Sequence, residues 1–379
     1  MTKNENKNLM IIAGEISGDL HGSSLVRELK NMDNNLNIYG IGGDRMKAEG
    51  MELIYHIKKM AFLGFAEVVK HIPFIKRVQH DLIAIIKEKN IRNVVLIDYP
   101  GFNLNFAKKL KALNLNVIYY ISPQIWAWGA GRINKIKKLV SKMIVVFPFE
   151  EKFYKDSGVN VEFVGHPLLE RINEHKFLTK DELFEKFNLD KSKELLLILP
   201  GSRLHEVERI LPESIEAAEK IACEFHLQIV IAGSPNISEE IYNKLSNTKE
   251  NKIITGHTYE LMKYSKIGII KSGTSTLESA LFTLPMIIVY KTGFITYSIG
   301  KNLIKVKNIG MANIIAGEKV VPELIQNNAN AESIYLECKR ILSDERLYNS
   351  IKQKLSKVKD KLGSEGASRK AAGLIYSMM

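Results

Sequence analysis

Short runs of aliphatic and β-branched residues alternate with longer helical patterns from one end of the chain to the other, and this alternation most constrains the fold. Strands separated by helix-length segments cannot pair as tight hairpins; they pair in parallel through crossover helices. The spacing predicts strands at Leu9–Ala13, Asn37–Ile41, Asn93–Ile97, Asn116–Tyr120, Lys142–Val146 and Val161–Val164. A second series follows at Glu194–Leu199, Gln228–Ala232, Lys252–Ile254, Ile267–Ile270 and Met286–Tyr290. Arg171 to Lys193 is charged, carries few large apolar clusters and reads as the connection between them. The expectation is an α/β chain of two Rossmann-like domains, residues 1–170 and 171–330, with a helical, lysine-rich tail over 331–379.

The 379 residues suit two or three domains. Two cysteines, Cys223 and Cys338, are too few for a disulfide framework or a multi-cysteine zinc site, which fits a reducing compartment. Lys plus Arg number 54 against 42 Asp plus Glu, a net charge of +12 that calls for an anionic partner: nucleic acid, a phosphorylated small molecule or an acidic lipid surface. Neither a signal-peptide core nor a membrane-length apolar stretch is present, so a cytoplasmic location is expected, with membrane contact left open.

Familiar chemistries can be tested by spacing. Gly40-Ile-Gly42-Gly43-Asp-Arg45 lacks the third glycine of a dinucleotide fingerprint, and Gly268 to Gly273 is followed by Thr274 rather than the lysine of a Walker loop. Gly14-Glu-Ile-Ser17-Gly18 has the wrong spacing for a hydrolase elbow. No Asp-x-Asp pair exists to clamp a metal on a nucleotide diphosphate, so a metal-independent mechanism without a cofactor is expected.

In an open parallel sheet, ligands bind beyond the carboxyl ends of the strands. Asp98 ends the run Val94-Val-Leu-Ile97 and precedes Tyr99-Pro-Gly101. It suits a turn cap, and equally a base: from Tyr99 to Phe149 there is no acidic residue, while eight Lys and Arg residues fall in that window. The first strand opens into a small-residue loop containing Gly14, Ser17, Gly18 and Asp19, fit either for a tight turn capped by Asp19 or for a ligand approaching backbone N–H groups. Pro200-Gly201-Ser202-Arg203 and Lys271-Ser272-Gly273-Thr274, with Glu278 a turn later, offer amides, hydroxyls, a guanidinium and a ribose-directed carboxylate. The run from Met60 to Ile75, with Phe62, Leu63 and Phe65, reads as a core face or as a surface helix meeting acyl chains and head groups. Trp126 and Trp128 allow the same two readings.

Together, Ala13-Gly-Glu-Ile-Ser-Gly-Asp19, Ile97-Asp98-Tyr-Pro-Gly-Phe102-Asn103, Ser122-Pro-Gln-Ile-Trp-Ala-Trp128, Gly165-His166-Pro167, Leu199-Pro-Gly-Ser-Arg203, Ser272-Gly-Thr-Ser-Thr-Leu-Glu278, Asn313-Ile-Ile-Ala-Gly317 and Val321-Pro-Glu-Leu-Ile-Gln326 resemble lipid-A-disaccharide synthase. The resemblance runs in order from about Leu9 to Gln326 and implies the two-Rossmann glycosyltransferase B architecture. It implies transfer of 2,3-diacylglucosamine from its UDP donor to the 6-hydroxyl of 2,3-diacylglucosamine 1-phosphate, with inversion, at the inner face of the cytoplasmic membrane. By similarity Asp98 is the general base, and Gly201, Ser202, Arg203, Ser272, Gly273, Thr274, Glu278 and Asn313 form the UDP site. Gly14, Ser17, Gly18, Asp19, Phe62, Leu63, Phe65, Asn103, Trp126 and Arg132 are assigned to the acceptor and its acyl chains. Many family members carry a second Asp at the position of Gly101, which leaves Asp98 the only local carboxylate here, without a partner to tune it. The resemblance also permits a homodimer, in which the tail exchanges between subunits instead of packing back on the first domain.

Two alternatives stand beside this reading. An enzyme of the same architecture acting on a soluble UDP-sugar would share the Ser272–Glu278 site without needing the Phe62–Ile75 surface. A non-catalytic basic module would bind nucleic acid or membrane without turnover; the chain lacks the aromatic-interleaved basic motif of RNA binders, and no nucleic acid partner is expected.

Overall fold

The computed structural model describes residues 7–60, 71–126, 130–246, 251–293 and 307–379. The chain forms two units. The first runs to Glu170 and resumes over Leu362–Met379; the second is Arg171–Lys361.

The first unit is built on seven parallel strands: β1 (Asn8–Ala13), β2 (Asn37–Gly42), β3 (Glu52–His56), β4 (Asn93–Ile97), β5 (Asn116–Tyr120), β6 (Lys142–Val145) and β7 (Val161–Phe163). Their order is β3-β2-β1-β4-β5-β6-β7. Every residue of β4 is buried, which is why the central strands read as unbroken apolar runs: a strand covered on both faces has no polar side to show. The second unit holds six parallel strands: β8 (Glu194–Leu199), β9 (Leu227–Gly233), β10 (Lys252–Thr255), β11 (Ser265–Lys271), β12 (Met286–Tyr290) and β13 (Glu323–Ile325), in the order β10-β9-β8-β11-β12-β13.

Two strands went unread in the sequence, β3 and β13. Both are edge strands in which no residue is fully buried, so neither carries the apolar signature of the interior ones.

The strand orders reverse direction at β1/β4 and at β8/β11. Crossover helices leave to opposite sides at such a point, and the loops at the carboxyl ends part to form a crevice. The registers set Ala13 beside Ile97 in the first sheet and Leu199 beside Ile270 in the second.

The helices after residue 330 divide between the units. Ala331–Ser343 packs on Leu204–Phe225, and Glu345–Lys361 on Met311–Ala316 and Thr274–Leu281. Ala367–Ser377 packs on Ile16–Met32, so the returning chain completes the first unit. Among the described residues no helix is long and apolar enough to cross a membrane.

Candidate active site

At the first switch point, Asp98 and Tyr99 follow β4 with φ of +43° and +45°. Asp tolerates the left-handed region, but a residue as bulky as Tyr99 costs about 1–3 kcal/mol there and persists only where its surroundings fix it. The Asp98 N–H donates to the Tyr120 carbonyl (3.2 Å), while the Tyr119 hydroxyl and the Asn103 amide (2.7 Å) both donate to the Asp98 carbonyl. The same amide reaches the Ile97 carbonyl at 3.2 Å. Tyr99 lays its ring over Gly14, where a Cβ would overlap the ring carbons, and its hydroxyl donates to the Met60 carbonyl (3.0 Å). Only glycine at 14 admits that approach.

This geometry holds the Asp98 side chain half-buried at the strand end. Burial raises its pKa, the nearby Glu15 raises it further, and the Tyr99 N–H opposes both; the result is a carboxyl pushed up to about 6. Glu15 is exposed and precedes helix Ile16–Met32. It comes near Asp98 because Ala13 and Ile97 are registered neighbours. The expectation that Asp98 stands without a tuning carboxylate is therefore corrected: the partner comes from the turn that follows the adjacent strand, not from position 101.

The remaining acceptor-side residues take varied places. Asp19 is buried, and its carboxylate accepts the N–H groups of Gly43 (2.6 Å), Met46 (3.1 Å) and Arg45 (3.3 Å), fixing the start of helix Asp44–Ala48. Asn103 is fully buried beneath the Asp98 turn. Both are expected among the acceptor contacts; the Asp19 carboxylate and the Asn103 amide nitrogen support backbone, while the buried Asn103 Oδ1 has no protein partner among the described residues. Gly18 lies against Ala13, and Ser17 and Arg132 are exposed. Trp126 donates its indole N–H to Glu150 (3.0 Å). Glu150, which sequence reasoning passed over, is 1% exposed, and its pKa is pushed up to about 7 by burial against the pull of its donors. Phe62, Leu63, Phe65 and Trp128 lie outside the described residues. Of the same apolar run, Phe74 and Ile75 pack against the core.

In the second unit, the loops after β8, β9 and β11 and the start of helix Thr258–Tyr264 line a cavity of about 460 Å³. Gly201, Ser202, Arg203, Gly273, Thr274 and Glu278, six of the eight residues expected at a nucleotide, line it. Gly201 has φ +125°, and a Cβ there would press on the Glu206 carboxylate at 2.6 Å. Lys271 and Glu206, which lie in or beside the two loops but outside the residues assigned to UDP, also line the cavity and form an ion pair of 2.8 Å. Burial would raise Glu206, but Lys271 and the N–H groups of Ser202 and Arg203 outweigh it and hold the carboxyl below its usual value. At the far wall Glu278 accepts from Arg171 (3.1 Å) and Tyr259 (3.2 Å), and burial, only partly offset by Arg171, raises its pKa.

The other two expected residues sit elsewhere. Ser272 is buried and donates to the Ile309 carbonyl (3.2 Å). Asn313 is fully buried: its amide donates to Val321 (2.9 Å) and Glu323 (2.8 Å), and its oxygen accepts from Val320 (2.8 Å) and Val321 (3.0 Å). With two donors and two acceptors filled, Asn313 has nothing left for a nucleotide and pins the 318–323 loop.

A family profile described as lipid-A-disaccharide synthetase matches residues 9–376. The chain belongs to this family. The lipid-A-disaccharide synthase of Geobacter sulfurreducens is 40% identical over 382 residues, covering 100% of this chain and 99% of that protein. That of Myxococcus xanthus is 36% identical over 374 residues, covering 98% of this chain and 97% of the relative. Among solved structures, the UDP-GlcNAc 2-epimerase from Neisseria meningitidis bound to UDP-GlcNAc aligns with a TM-score of 0.66 at 12% identity over 98% of this chain and 100% of that one. The calicheamicin glycosyltransferase CalG4 aligns at 0.62, also at 12% identity, over 98% of each chain. These two share the fold, glycosyltransferase B. Family membership makes the chain a glycosyltransferase of lipid A biosynthesis.

Proposed function

We propose that Asp98 is the general base of the family's transfer reaction and that the cavity of the second unit holds the UDP of the donor. The chain joins 2,3-diacylglucosamine from its UDP donor to the 6-hydroxyl of 2,3-diacylglucosamine 1-phosphate. The Asp98 carboxylate takes the hydroxyl proton as the oxygen attacks the anomeric carbon from the side opposite UDP. The bond from that carbon to the diphosphate oxygen breaks, its electron pair leaves with UDP, and the new linkage is β-1,6. The Gly201–Arg203 and Gly273–Thr274 loops suit the diphosphate, because amides and a guanidinium both donate to oxygen. Glu278 suits the ribose hydroxyls, since it is a half-buried acceptor on the cavity wall.

The observation that carries this reading is the switch-point carboxyl itself. With a pKa of about 6, Asp98 is ionised at neutral pH yet basic enough to share a proton in the transition state. The acylated substrates place the reaction at a lipid surface. The exposed Ile72, with Lys76 and Arg77 on the same helix, supports contact of the first unit with anionic head groups. The test is incubation with both substrates in detergent and mass spectrometry of the product. Wild-type protein should yield the disaccharide 1-phosphate and UDP, and Asp98→Asn should yield neither while still binding UDP. Turnover by Asp98→Asn at the wild-type rate would remove Asp98 as the base.

A further inference from the structure

Glu150 is the most deeply buried carboxyl among the described residues of the first unit, and no step above uses it. As the third residue of helix Pro148–Asp156 it accepts the Phe147 N–H on Oε2 (3.3 Å), the one half of a capping box that a phenylalanine N-cap leaves possible. That accounts for one oxygen. Oε1 instead accepts the Ser122 hydroxyl (2.7 Å) and the Trp126 indole N–H (3.0 Å), neither of which a helix cap requires.

The same helix fastens the 122–126 loop at two further points. Tyr154 donates its hydroxyl to the Pro123 carbonyl (3.2 Å), and Phe149 meets the Trp126 ring edge-on at 4.9 Å. The loop leaves the carboxyl end of β5 through Ile121, a β-branched residue at φ +61°, which marks a conformation imposed from outside. Immediately before it, Tyr120 accepts the Asp98 N–H and Tyr119 donates to the Asp98 carbonyl. The loop and the Asp98 turn therefore spring from one paired strand end. A carboxylate is costly to bury unless donors surround it, and here both side-chain donors belong to the loop.

We propose that Glu150 is a positioning residue for the transfer reaction: by gripping Ser122 and Trp126 it fixes the 122–126 loop as the wall beside Asp98 that receives the acceptor sugar. This rests on the assignment of Asp98 as the base. Glu150 touches no substrate and acts through the loop.

The test is steady-state kinetics with both lipid substrates in detergent on Glu150→Gln and Ser122→Ala, with the emission of Trp126 read in a Trp128→Phe parent. Glu150→Gln should raise the acceptor KM about tenfold, the scale of one hydrogen bond to a charged group, with the donor KM within about twofold of wild type. The Trp126 emission should move to longer wavelength. Ser122→Ala should raise the acceptor KM about threefold. A helix-capping role alone would lower thermal stability and leave the ratio of the two KM values unchanged, and that result would overturn the proposal. An unmoved Trp126 emission would do the same. If Glu150→Gln does not fold, Ser122→Ala decides, and a wild-type acceptor KM there is the refutation. Turnover by Asp98→Asn would instead strike the base assignment, whatever the KM values at position 150.

Discussion

Replacing Glu15 by Gln keeps the side chain's size and removes one negative charge from the neighbourhood of Asp98. Burial is the larger reason that Asp98 sits at about 6 and not at 3.8, and burial survives the substitution. The variant's pKa should therefore fall between those limits. A drop of about one pH unit is the working expectation for losing one partly solvated like charge. A base must be deprotonated to act, so kcat/KM rises with pH through its pKa, and the substitution should carry the acid limb downward. At pH 5 a base of pKa 6 is about 9% ionised and one of pKa 5 about 50%, so relative to its own plateau the variant should be about fivefold more active there. The assay is the pH profile of kcat/KM for the acceptor at saturating donor, from about pH 4.5 to 8. An acid limb that stays in place, or moves upward, would refute the coupling of these two carboxyls across β1 and β4.

Three other substitutions separate chemistry from support. Arg203→Ala should weaken UDP binding by about 10- to 100-fold, the loss of a charge-assisted contact to phosphate, and unchanged calorimetric affinity would place the diphosphate elsewhere. Asn313→Ala should lower unfolding stability by about 2–4 kcal/mol because it strands buried N–H and carbonyl groups, yet leave UDP affinity of the folded protein unaltered. A selective loss of UDP binding would restore Asn313 to the nucleotide site. Gly14→Ala should drive the Tyr99 ring from its place and cut kcat at least about tenfold, measured with UDP binding as the control for folding.

Most of the sheet was legible because parallel strands buried on both faces announce themselves as unbroken apolar runs, as β4 and β8 do. The edge strands β3 and β13 escaped because half-exposed residues carry no such signal. The loops of the second unit were legible as well, since phosphate-suited residues follow their strands directly in the chain. What could not be read was anything set by strand order. Glu15 and Asp98 lie 83 positions apart, and only the pairing of β1 with β4 brings them together. Asn313 misled for a related reason: a polar residue in a motif looks like a ligand contact until its four hydrogen-bonding positions are seen to be filled. The left-handed turn at Asp98 and Tyr99 was equally invisible, because Asp tolerates that region but a tyrosine seldom enters it.

That turn, with Ile121 beside it, has an engineering consequence. Glycine at 99 would release about 1–3 kcal/mol of backbone strain but lose the ring packed over Gly14 and on the core, worth about 3–5 kcal/mol, so selection for heat resistance should leave the strain in place. Selection for catalysis should keep it too, so sturdier descendants of this chain will carry their gains elsewhere.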